Sequence, residues 1–276
     1  MSAAWPVAGH GTKWARERYP SVTIPITDTA TAVFTGLDPA SVAFLLDVDG
    51  TLIDIGPSPF EVVVATELKD TLARLSALTG GALALVSGRP IRDLDTLFAP
   101  LQLPAVGGHG AETRLAPGAA VSRVPDLPEA LRLHLIGGVS HSRGLEYEDK
   151  GYSVALHYRK APKQAEPLRR HIAAARATFP GVATELLVGK AMFEVKHPGV
   201  NKGDAVRALM VQAPFAGRIP VFLGDDVTDE SVFKALPAIG GKGFAVGRHF
   251  ENVSGIFPSP HDVRRALQHL AGLRRD

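Results

Sequence analysis

The stretch FLLDVDGTLID, residues 44–54, decides how the rest of the chain reads. It closes an apolar run, VAFLL at 42–46, and places Asp47 and Asp49 directly behind it, with Gly50 and Thr51 next. An unbroken apolar run of that length predicts a strand buried on both faces, as in a parallel sheet. Two carboxylates at the mouth of such a strand cost solvation free energy unless they are paired or put to use.

The same pattern continues outward. Leu68, Leu72, Leu75 and Leu78 recur at helical spacing. ALALV at 82–86 predicts a second buried strand, followed by SGRP and a helix carrying Ile91, Leu94 and Leu97, and LPAVGG at 103–108 predicts a third strand. The pattern breaks at APGAA, 116–120, a turn-rich linker. YSVALHYR at 152–159 alternates, with Val154, Leu156 and Tyr158 on one face and Ser153, Ala155, His157 and Arg159 on the other. Alternation predicts an antiparallel strand with one face toward water. A helix over about 163–178 and the strands ATELLVG and AMFEVKH follow. The first pattern then resumes: helix KGDAVRALM (202–210), buried strand IPVFLG (219–224), helix DESVFKAL (229–236), strand GFAVG (243–247), and a closing helix in 259–273 with Pro260 at its start. The expected fold is α/β: a doubly wound parallel-sheet core, 41–114 and 198–276, split by an inserted α+β module at 115–197. Residues 1–40 read as an N-terminal arm with room for one short helix and no assignable role.

Bulk composition narrows the function classes. The 276 residues carry 30 basic and 28 acidic side chains, a net charge of +2, which argues for neither nucleic acid nor a membrane surface. Hydrophobic residues are 45% and charged residues 21%, as in a globular domain. The absence of cysteine excludes disulfides, a thiolate nucleophile and a zinc–thiolate site. The first twenty residues lack the apolar core of a signal peptide, and no run approaches the roughly 20 residues that span a bilayer. A cytoplasmic protein is expected.

Three distant segments send polar groups to one edge of the predicted sheet. Asp47 and Asp49 follow the first strand, Ser87 the second, and Asp225 and Asp226 the strand at 219–224. In open α/β sheets the carboxyl ends of the strands line the ligand crevice. Asp225 alone reads equally well as a helix N-cap; the convergence of all of them does not. Clustered carboxylates repel one another, and Mg²⁺, a hard cation that takes oxygen ligands, relieves the repulsion. No cysteine and no close histidine pair accompanies them, which disfavours zinc.

DVDGT (47–51), Ser87 in VSGR, Lys202 in NKGD and GDDVTDE (224–230) resemble, in order, the four motifs of the haloacid dehalogenase superfamily. That resemblance implies phosphoryl transfer through an aspartyl-phosphate. An aspartate attacking a phosphomonoester is an anion approaching a dianion, so a metal ion and a lysine are needed at the encounter. Asp47 is then the nucleophile, and Asp49 the group that protonates the leaving oxygen and deprotonates water. Thr51, Ser87, Gly88 and Lys202 hold the phosphate. By the same resemblance Mg²⁺ binds Asp47, Asp49 (through its carbonyl) and Asp225, while Asp226 and Asp229 orient Asp225 and Lys202.

The clusters EYEDKG (146–151), HYR (157–159) and GKAMFE (189–194), with GGHGAE (107–112), are similar to trehalose-6-phosphate phosphatases of that superfamily. The similarity makes 115–197 a cap domain over the site. It implies that Arg89, Glu148, Lys150, Arg159, Lys190 and Glu194 contact the sugar and its phosphate. His109 and His157 read first as hydrogen-bonded structural histidines, with a place in the cleft as the alternative. The expected activity is Mg²⁺-dependent hydrolysis of trehalose 6-phosphate, the last step of trehalose biosynthesis. The expected partner is a small sugar phosphate, with no nucleic acid, no membrane and a monomeric chain. A phosphatase or phosphomutase for another sugar phosphate, and a catalytically inactive regulatory relative, stay open as alternatives.

Overall fold

The computed structural model describes residues 28–55, 62–140, 142–189 and 191–273. Strand β1 (Val42–Leu46) is buried along its whole length because strands flank both its edges and helices cover both its faces. Its parallel neighbours are β2 (Leu83–Val86) and β10 (Ile219–Gly224), with Phe44 opposite both Leu83 and Val221. Alternation along β1 feeds two hydrophobic cores. Phe44 and Leu46 point to one face, where α2 (Thr66–Leu78) buries Leu68, Leu72 and Leu75 beside α8 (Pro260–Leu270) with Val263 and Leu267. Ala43 and Leu45 point to the other, under Val206 and Leu209 of α6 (Lys202–Met210) and Val232 and Phe233 of α7 (Glu230–Ala235).

The large sheet is completed by β3 (Ala105–Gly107), β4 (Glu112–Arg114) and β5 (Ser122–Arg123) on one side and by β11 (Lys242–Val246) and β12 (Gly255–Phe257) on the other. Its order is β12-β11-β10-β1-β2-β3-β4-β5. From β12 to β3 every pairing is parallel, the doubly wound arrangement expected. The chain winds outward from β1 through β2 in one direction and returns through β10 in the other, so the topological switch lies at β1. Strands β4 and β5 are antiparallel additions that the sequence did not announce, since ETR and SR carry no apolar run. The division expected between 114 and 115 falls inside this β4–β5 hairpin. Of the arm at 1–40, residues 1–27 lie outside the described residues. The helix α1 (Asp28–Thr35) packs into the core, with Phe34 against Phe44, Phe244 and Phe257 at centroid distances of 5.8, 5.2 and 5.4 Å.

A second, antiparallel sheet has the order β6-β7-β9-β8, formed by β6 (Glu146–Asp149), β7 (Ser153–His157), β9 (Met192–Lys196) and β8 (Glu185–Gly189). One face carries α4 (Glu129–Gly137) and α5 (Ala165–Thr178), packed through Leu131, Leu135, Leu168 and Ile172 onto Val154, Leu156, Phe193 and Val195. The other face of β7 corrects the sequence reading. Ser153 and Ala155, expected toward water, are each 1% exposed. The Ser153–Ala155 part of that face is covered, roofing the cleft between the two sheets, while His157 is half-buried and Arg159, in the turn beyond β7, is exposed as expected. Alternation in the sequence separates the two faces but does not reveal what lies beyond each.

Candidate active site

The turn after β1 closes on itself. The Val48 carbonyl accepts from the amides of Leu52 and Ile53 at 3.0 Å, and the Gly50 amide donates to the Ile53 carbonyl at 2.8 Å. Gly50 sits at φ +89°, and a Cβ there would lie 2.3 Å from Asp225 Oδ2. Only glycine lets this turn approach Asp225 in that backbone conformation. Gly50→Ala should therefore displace the Asp225 carboxylate. A drop in kcat/KM of about 10²-fold is expected from a displacement on the ångström scale, with about 1–2 kcal/mol of stability lost to the left-handed backbone. Kinetics and thermal unfolding of the variant check both numbers.

Asp47, 4% exposed, begins this turn at the end of β1. Asn201 caps α6, accepting from the Asp204 amide at 2.9 Å, and so aims Lys202 from the first turn of the helix into the site. Lys202 Nζ donates to Asp47 Oδ1 and to Asp229 Oδ1, both at 2.7 Å. The other oxygen of Asp229 accepts the amides of Asp225 and Asp226, each at 2.9 Å, which shapes the turn after β10. Asp226, not Asp225, is the helix N-cap, in a reciprocal capping box with Asp229. Carboxylate oxygens of Asp47, Asp225 and Asp229 lie within 4.8 Å of one another, and all three residues are buried. Three carboxylates thus face one lysine. Burial, then the negative charge of Asp229, push the Asp47 carboxyl well above its usual range despite Lys202. The same two carboxylates hold the Lys202 ammonium up against its own burial. Both directions mark a cluster short of positive charge.

Asp49 turns away from this cluster. Its carboxylate takes both prongs of the Arg89 guanidinium, at 2.7 Å from Nε and 2.6 Å from Nη2. Ser87 Oγ accepts from the Arg89 amide at 3.1 Å, which holds the turn after β2. Thr51 is fully buried, and its hydroxyl has no hydrogen-bond partner among the described residues.

A cleft of about 800 Å³ lies between the two sheets, within the range of small-molecule sites. Asp47, Asp49, Ser87, Gly88, Arg89, Lys202 and Asp226 line its floor, and Glu148, Lys150, His157 and Arg159 line its roof. His157 pairs with Glu148 at 2.8 Å, so this histidine is both hydrogen-bonded and in the cleft. Burial would raise the Glu148 carboxyl, but the His157 hydrogen bond and Lys150 bring it below its usual range. Lys150 Nζ reaches the Gly88 carbonyl at 3.1 Å and Glu194 Oε1 at 3.2 Å. Glu194, expected at the sugar, is 1% exposed and accepts from Lys150 and from the Ser153 hydroxyl, the latter at 2.6 Å. Burial raises its carboxyl, but Lys150, His109 and Ser153 more than reverse this, to about 2. Lys190 lies outside the described residues. Two contributors went unread in the sequence: Arg248, 3.5 Å from Asp226, and Glu112, which accepts the Ile91 amide at 2.6 Å at the start of α3 (Ile91–Phe98). Arg248 sits in no motif, and Glu112 ends GGHGAE, whose resemblance named no role for it; an isolated charged residue in a short strand or a loop carries no local signal of its own.

At its switch point the parallel sheet thus gathers a strand-end aspartate, a buried lysine and further carboxylates, the arrangement that the resemblance to the haloacid dehalogenase superfamily implies. The family model described as Trehalose-phosphatase matches residues 45–255. The chain is 40% identical over 214 residues to the Trehalose-6-phosphate phosphatase of Escherichia coli K12, covering 75% of this chain and 78% of that one. It is 38% identical over 250 residues to a Probable trehalose-phosphate phosphatase of Sinorhizobium fredii NGR234, covering 88% and 92%. The chain belongs to the trehalose-phosphatase family. The solved C-terminal domain of a C. albicans Trehalose-6-phosphate phosphatase superposes with a TM-score of 0.77 at 22% identity, covering 91% of this chain and 99% of that one. The C-terminal domain of a Candida albicans trehalose synthase regulatory protein superposes at 0.64 and 13%. These two structural likenesses speak to the fold alone. No helix among the described residues is long and apolar enough to cross a membrane.

Proposed function

We propose that the protein hydrolyses trehalose 6-phosphate to trehalose and inorganic phosphate, in two steps through an aspartyl-phosphate on Asp47. The observation that carries the two-step reading is Asp47 at a strand end, 2.7 Å from Lys202 and facing the cleft. A carboxylate oxygen of Asp47 attacks phosphorus as the bond to the sugar oxygen breaks, and Asp49 gives that oxygen its proton. Water then attacks the same phosphorus, its proton passes to Asp49, and the Asp47–phosphorus bond breaks to release phosphate. Lys202 holds Asp47 in place and offsets negative charge at the reacting centre. The substrate phosphate competes for the Arg89 guanidinium, which frees Asp49 for the sugar oxygen. The Ser87–Arg89 turn presents its hydroxyl and amides to the phosphate.

The donor set fits Mg²⁺: all-oxygen, buried, and with three carboxylates against one lysine. Asp47 and Asp225 would hold the ion with the Asp49 carbonyl, since Asp229 is already committed to Lys202 and two amides. When bound, it would polarise the phosphoryl oxygens and offset the charge of the approaching dianion. The second sheet with its two helices acts as the cap, and Glu148, Lys150 and Arg159 read the sugar. The protein is assigned to the cytoplasm as a monomer, with no nucleic-acid or membrane partner.

A phosphate-release screen over a panel of sugar phosphates tests the substrate, with trehalose 6-phosphate expected to give the highest kcat/KM. Another sugar phosphate at the top would overturn the assignment. Glu148→Ala and Arg159→Ala should each lower kcat/KM for trehalose 6-phosphate about 10-fold or more, the worth of a hydrogen bond to a charged group. Turnover of p-nitrophenyl phosphate, which has no sugar, should stay near the parent value. An unchanged ratio of the two kcat/KM values in both variants would show that the cap does not read the sugar.

A further inference from the structure

His109 lies in GGHGAE, outside the four superfamily motifs, yet it touches the phosphate-binding turn and the cap at once. It occupies the short turn after β3 in a left-handed conformation, φ 55° and ψ 29°. Its amide donates to the Ser87 carbonyl at 3.0 Å, and the Gly108 amide donates to the Arg89 carbonyl at 2.9 Å. The imidazole packs against Gly88: a Cβ on Gly88 would lie 2.3 Å from Cε1. Its Nε2 is 3.4 Å from Glu194 Oε2. That carboxylate oxygen is buried and has no hydrogen-bond partner among the described residues, and neither has His109 Nδ1. Burial lowers the imidazole to about 4, so the ring is neutral at ordinary pH and has one N–H to offer. Glu194 uses its other oxygen to hold Lys150, whose ammonium also reaches the Gly88 carbonyl.

We propose that His109 is a positioning residue: with Glu194 it clamps the Ser87–Arg89 turn to the cap, so that the buried pair anchoring the sugar-facing Lys150 also sets where the phosphate is held. The inference rests on the phosphatase reading. The contact is made by an oxygen that would otherwise stay buried and unpaired, a state that costs free energy.

The test is a double-mutant cycle on p-nitrophenyl phosphate, which needs the phosphate turn but no sugar contact. His109→Gly keeps the left-handed backbone without strain; His109→Asn, too short to reach Glu194, serves if the glycine variant folds poorly. Each of these and Glu194→Gln should lower kcat/KM about 10-fold or more, with thermal unfolding confirming folded protein at the assay temperature. The His109→Gly/Glu194→Gln double variant should be no worse than the worse single, because both act through one contact. Imidazole added to His109→Gly should restore part of the lost rate, which a purely structural role would not allow. Additive losses, or parent-like turnover in His109→Gly, would overturn the proposal. Failure of the parent on trehalose 6-phosphate with turnover of the aryl ester would remove the sugar assignment and leave the clamp to be judged by the cycle. A parent inert to both esters would remove both.

Discussion

An Asp47→Asn protein is expected to release no measurable phosphate while remaining folded. Asparagine is nearly isosteric with aspartate, so the end of β1 and its turn stay packed, but an amide cannot form the acyl-phosphate. Loss of a nucleophile costs at least about 10⁴-fold in kcat. The structure adds a second, opposite effect on stability. Asp47 shares a buried site with Asp225, Asp229 and a single lysine, and its ionised form is disfavoured there by burial and by Asp229. Removing that charge relieves repulsion, so without added metal the variant should unfold at the same temperature as the parent or higher. Lys202 keeps its bond to Asp229. Comparable turnover by well-folded Asp47→Asn would rule out the aspartyl-phosphate route.

Removal of divalent metal should abolish activity, and Mg²⁺ should restore it. The same charge imbalance that penalises Asp47 in the bare cluster favours a divalent cation in it. A ligand that binds only the folded state at one hundred times its Kd stabilises by about 2.7 kcal/mol. Mg²⁺ should therefore raise the unfolding temperature of the parent, a readout independent of turnover. Asp225→Asn should lose most of that shift. Asp226→Asn should keep it, because the Asp226 side chain caps a helix turn and lies outside the three-carboxylate cluster. Undiminished turnover in verified metal-free protein would remove the metal from the reading, and an equal shift in Asp225→Asn would place the ion elsewhere.

The positions of the strands were legible because burial on both faces leaves a one-dimensional mark. VAFLL, ALALV and IPVFLG are apolar throughout, and each ends where a polar residue begins. Given the doubly wound connectivity, strand ends converge on one edge, so Asp47, Ser87 and Asp225 could be brought together before any coordinates. α4 carried a weaker mark, Leu131 and Leu135 behind Pro128, and β4 carried none. What the linear order could not decide was which carboxylate faces which cation. Asp49 is two residues from Asp47, yet it turns to Arg89, while Asp229 comes from the turn after the neighbouring β10 to share Lys202. Glu194, grouped with the sugar contacts by resemblance, is almost wholly buried, held by Lys150 and Ser153 from the β6–β7 hairpin. Local sequence constrains the backbone and the period of burial. The direction of a charged side chain is set by partners that arrive from far along the chain, as Lys202 does at Asp47 across 155 residues, and by the desolvation cost that makes every buried charge require one.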